Sequence, residues 1–96
     1  MATAAALEMA AARLRAEATR LNQAIAGYVE PAMRLLPLVW VGPAADQLER
    51  ELIDHRQMLR AVAGQLGARA SSLEWQAAEI RAGETALAAE GISGAF

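Results

Sequence analysis

His55 is the one histidine in a chain of 96 residues that contains no cysteine. An imidazole works as a base or a ligand beside a second group that orients it. Asp54 is its neighbour in sequence, but adjacent residues of a helix point to different faces. Ser71 and Ser72 lie about four helical turns further on, out of reach for a nucleophile–base pair. Glu49, Glu51 and Asp54 alternate with Arg50 and Arg56 in the manner of a solvated face. The lack of cysteine removes disulfides, thiolate ligands and a thiol nucleophile together. No glycine-rich phosphate loop is present. The chemistry expected is therefore recognition, with no enzyme activity, no cofactor and no metal.

Composition narrows the partners. The net charge is −2, with arginine and glutamate interspersed, so no basic footprint for nucleic acid exists. No run of about eighteen apolar residues could cross a membrane. Met1 to Ala12 is alanine-rich but lacks a basic leading region, carries Glu8, and is followed at once by Arg13 and Arg15. It reads as helix, so export would proceed without a cleaved signal peptide, from a cytoplasmic pool.

One break divides the chain, Pro37-Leu38-Val39-Trp40-Val41-Gly42-Pro43. Pro37 disfavours continuation of the preceding helix, and Pro43 suits the first position of the next. Gly42 falls at the N-cap, and Asp46 lies in the first turn, where the helix dipole favours an acid. The expected elements are a helix over 4–36, a Trp-x-Gly turn over 37–43, a helix over 43–89 and a flexible tail over 90–96. Leu7, Leu14, Leu21, Tyr28 and Leu35 recur every seven residues, with Ala11, Ala18, Ile25 and Ala32 four residues on. In the second helix Ala45, Leu52, Leu59, Leu66, Leu73, Ile80 and Leu87 recur every seven, with Leu48, His55 and Val62 three residues on. Such rows form coiled-coil seams. Folding back about Trp40 pairs Leu7 with Leu73, Leu14 with Leu66, Leu21 with Leu59, Tyr28 with Leu52 and Leu35 with Ala45. The second row pairs Ala18 with Val62, Ile25 with His55 and Ala32 with Leu48. Pro31, four residues after Gly27, predicts a bend rather than a stop. The second helix should overhang the start of the first.

The fold class expected is all-α, an antiparallel two-helix hairpin. Two helices bury little beyond their shared seam, so pairing into a four-helix bundle is also expected. Ala63, Ala70 and Ala77 form a flat stripe read as lying beside the seam. Val29 and Leu36 do the same on the first helix, and Ile53 and Met58 add bulk further round. These seven are the candidate partner interface.

Trp40 and Gly42 at the centre of such a hairpin, followed by Pro43-Ala44-Ala45, make the chain resemble the WXG family, the small helical-hairpin proteins of type VII secretion. The resemblance covers nearly the whole chain. The use of arginine without lysine also looks actinobacterial. The resemblance implies a secreted protein or secretion-associated adaptor that dimerises with itself or a sister hairpin and engages a translocase component. It further implies a C-terminal Tyr-x-x-x-Asp/Glu export signal. Here Trp75 and Glu79 stand one turn apart on one face, with tryptophan in place of tyrosine. A cytosolic coiled-coil adaptor with no export role is the alternative reading.

Overall fold

Thr3 opens the first helix. Its backbone is extended and its Oγ1 accepts a hydrogen bond from the Ala6 N–H at 3.1 Å, satisfying a donor that the helix start leaves orphaned. A computed structural model describes residues 3–94, with side-chain surroundings through residue 89. The helical segments are α1 (Ala4–Ala24), α2 (Glu30–Val39) and α3 (Pro43–Gly94), and a π-helical turn, Ile25–Val29, joins α1 to α2. The first two and the π turn form one arm, and α3 packs back along it. The result is an all-helical hairpin of 82 × 17 × 16 Å. At about 1.5 Å per residue, α3 alone accounts for most of that length.

The turn follows the sequence closely. Trp40 is extended, Gly42 has φ +116°, and the Gly42 carbonyl accepts from the Asp46 N–H at 3.0 Å. Pro43 occupies the first helical position. The positive φ is what requires glycine. Gly42→Ala is therefore expected to lower stability by about 1–2 kcal/mol, although nothing crowds a Cβ there. Gly64, in the interior of α3, should respond oppositely: Gly64→Ala gains about 0.5–1 kcal/mol. Thermal melts of the two variants check both signs.

Both arms run further than the sequence implies. The first extends to Val39, with Pro37 inside it and the Trp40 N–H bonded to the Leu36 carbonyl. Proline's fixed φ is itself helical, and near the end of the helix Pro37 forfeits the bond to the Met33 carbonyl and crowds that carbonyl without ending the helix. The second helix continues to Gly94 rather than stopping near Ala89; residues 95 and 96 lie outside the described residues. Beyond Ile80 every described side chain is exposed, Leu87 of the seven-residue row included, so α3 does overhang the start of α1.

The seam keeps half of its expected rows. On α1, Ala4, Ala11 and Ile25 are buried, while Leu7, Leu14, Ala18 and Leu21 are half-buried. On α3 the row from Ala45 to Ile80 also faces inward. Its companion row, however, lies four residues on rather than three, at positions 49, 56, 63, 70 and 77. Ala63 is 6% exposed, Ala77 1% and Ala70 0%. The alanine stripe is thus the centre of the seam and not a second surface beside it. Small side chains on both arms let the two backbones approach closely, which excludes water better than His55 or Val62 could at that distance. Those two are exposed, as is Ala32, so the pairings of Ile25 with His55, of Ala18 with Val62 and of Ala32 with Leu48 do not form. Arg56 takes one place in the seam, and its Nε is buried without a hydrogen-bond partner.

The first arm departs from its pattern at Ile25. The Glu30 N–H bonds to the Ile25 carbonyl five residues back, the signature of a π turn. One extra residue is absorbed there, and the seam passes to Val29, Met33 and Leu36, which are half-buried. Tyr28 is 79% exposed and Leu35 58%, which removes their pairings with Leu52 and Ala45. Where the sequence implies a bend at Pro31, the structure places a π turn and its shift of register just before that residue.

Candidate interaction surface

The hairpin has two unlike faces. On each arm the residue following a seam position turns about 100° to one side. Because the arms are antiparallel, those residues share one face, and the residues preceding seam positions share the other.

Ion pairs close the first face. Arg81 grips Glu8 with a two-pronged contact, Nε to Oε1 at 2.6 Å and Nη2 to Oε2 at 3.0 Å. Arg15 bonds Glu74 and also donates to the Ser71 Oγ at 3.1 Å. Arg60 reaches Glu30 at 2.6 Å. The numbers of these ion-paired residues total 89 or 90, where folding back about Trp40 anticipates about 80. Part of the excess follows from side chains leaning toward their own helix N-terminus, which carries each arginine of α3 toward the turn.

The hydrogen bond from Arg81, reinforced by its charge, holds the Glu8 carboxyl below the usual carboxylate range and raises Arg81, although partial desolvation of Glu8 works the other way. A lowered pKa in the folded state contributes stability that is present above the unfolded carboxylate's pKa and is lost as pH falls through the lowered value. The melting temperature of Glu8→Gln should therefore lie below that of the parent near pH 7, and the gap should close in acid. An unchanged gap at low pH would assign the contact no such role.

The second face differs between its halves. Toward the open end it carries Arg13, Glu17, Arg20, Arg69 and Glu79, and Arg20 pairs with Glu17 at 2.7 Å. Toward the turn it carries Tyr28, Leu35 and Val39 from the first arm, and Leu48, Met58 and Val62 from α3. All but the half-buried Leu48 are exposed. His55 belongs to this region too, in a shallow hollow of about 260 Å³ lined with Glu51, Asp54 and Met58. The apolar surface continues over the hairpin tip, where Leu38 and Val41 are each 81% exposed. Trp40 is partly sheltered in a hollow of about 80 Å³ shared with Leu36, Pro37 and Ala45.

The structure redistributes the seven candidate interface residues. Ala63, Ala70 and Ala77 lie in the seam, and Val29 and Leu36 belong to it after the π turn. Ile53 is half-buried and follows the seam position Leu52, on the ion-paired side. Met58 alone stands exposed on the apolar face. Spacing alone assigns Tyr28, Leu35 and Val62 to the seam, and the structure places them on this surface instead. The one sequence signal was Pro31, which marks an irregularity without saying that it shifts register. Trp75, 67% exposed, and Glu79 are both exposed on α3.

Among the described residues no three His, Asp or Glu side chains group as a metal site would require, and no helix is long and apolar enough to cross a membrane. No family model, curated protein or solved structure matches the chain.

Proposed function

We propose that this chain is a WXG-like hairpin that acts by protein–protein recognition, pairing with a second hairpin, identical or a sister, into a four-helix bundle. In this reading it is a type VII secretion substrate or a secretion-associated adaptor. The observation that carries the pairing is the turn-half face. Tyr28, Leu35, Met58 and Val62 stand exposed on a rod two helices thick whose opposite face is closed by ion pairs. Burying a side chain of this size contributes at most about 1.5–3 kcal/mol, and a bundle would cover several at once. The Trp-x-Gly turn at the hairpin tip supports the family resemblance. Trp40 and Gly42 would then shape the end of the bundle, and Trp75 with Glu79 would be read by the translocase.

Light-scattering mass after size exclusion, with helicity from the same sample, tests the pairing. A helical dimer supports self-pairing, and a poorly helical monomer points to a missing sister chain. A highly helical monomer that recruits no second hairpin sinks the proposal. The tryptophan at position 75, where the family signal has tyrosine, favours a second reading, a cytosolic adaptor that is never exported. Detection of the protein in the medium of a host with a type VII system separates the two.

A further inference from the structure

The first arm carries two apolar rows beyond Ile25, one residue apart. Tyr28, Ala32, Leu35 and Val39 continue the three-and-four spacing of Leu14, Ala18, Leu21 and Ile25. Val29, Met33 and Leu36 form the neighbouring row. It is this neighbouring row that is half-buried, while Tyr28 and Leu35 stand in solvent. The π turn separates the two outcomes. It absorbs one residue between Ile25 and Glu30, so all that follows is turned by about 100° relative to a straight α-helix. A straight helix would lay the Tyr28 row on α3 and turn Val29 and Leu36 toward the ion-paired face.

Pro31 is the residue that disfavours the straight form. In an unbroken α-helix its ring presses on the carbonyl four residues back, that of Gly27, and leaves that carbonyl without a donor. The wider turn just before Pro31 relieves this crowding. Gly27 has open space where a Cβ would stand and no residue of the segment has a positive φ, so neither a crowded glycine nor a left-handed residue accounts for the turn.

We infer that Pro31 is a positioning residue: through the π turn at Ile25–Val29 it selects which of two apolar rows packs on α3 and which is presented to a partner. The consequence for pairing rests on the function proposed above, whereas the choice of row does not. Without the π turn, Tyr28 and Leu35 withdraw into the seam and the turn-half face loses its contribution from the first arm.

A chain without cysteine suits single-site mapping. Tyr28→Cys, Val29→Cys, Leu35→Cys and Leu36→Cys are each made in the full chain and labelled with a maleimide, in samples dilute enough to be single hairpins by mass. Positions 28 and 35 should label about tenfold or more faster than 29 and 36. Adding Pro31→Ala should reverse that order. Deleting Ala26 as well should restore it, because a straight helix one residue shorter returns Val29 and Leu36 to α3. An order unchanged by Pro31→Ala overturns the inference, as does failure of the deletion to restore it. If Pro31→Ala instead loses helicity and labels uniformly, the deletion variant decides: the parental order supports the inference, and any other order overturns it. The mass of concentrated samples reports pairing separately. Reversed labelling with the parent's dimer mass retained leaves the choice of row standing and removes the pairing face.

Discussion

Ala70→Glu is expected to unfold much of the hairpin, whereas Ala61→Glu, nine residues earlier on the same helix, should leave it intact. Ala70 is 0% exposed in the centre of the seam. A carboxylate there has no room between the two backbones, and among the described residues no buried charged side chain stands ready to pair with it. An uncompensated buried charge costs roughly 3–5 kcal/mol, a large share of the stability of any small domain. Ala61 is exposed, and a surface substitution stays within about 0.5 kcal/mol. Urea titrations followed by circular dichroism read both. Equal sensitivity at the two positions would mean that the alanine row is not the seam.

Leu35→Lys combined with Val62→Lys is expected to do the reverse, preserving helicity and abolishing association. Both side chains are exposed in the single hairpin, one from each arm of the same face. Neither should therefore be needed for the fold itself. In a bundle each would be buried, and losing about 1.5–3 kcal/mol at each site weakens pairing by about a hundredfold or more. Sedimentation or light scattering across a concentration series gives the shift. Association unchanged in the double variant would place the partner elsewhere, for example on the apolar tip around Leu38 and Val41. A loss of helicity would instead mean that these residues pack inside the hairpin.

Much of the architecture is legible in the chain itself. The Trp40-Val41-Gly42-Pro43 turn, the acid at position 46 and the start near Ala4 are local matters. They depend on backbone freedom at glycine, the fixed φ of proline and orphaned donors at helix ends, and residue identity settles these within a few positions. The row of leucines from Leu7 to Leu21 likewise lies on α3 because a seven-residue repeat leaves a helix few other faces to bury. What the repeat leaves open is which flank completes the seam. On α3 the residues three places after each leucine begin with His55 and Val62 and decay to Arg69 and Gln76. Those four places after it begin with Arg56 and continue as Ala63, Ala70 and Ala77, and packing against the first arm buries the alanines. Past Ile25 the sequence again offers two rows, Tyr28 with Leu35 or Val29 with Leu36, and spacing alone favours the first. The second wins because a wide turn before Pro31 adds one residue, and a shift of one residue rotates every later side chain to another face. Periodicity thus decides that two helices pack along their length, while contact between them decides which residues are hidden and which remain for a partner.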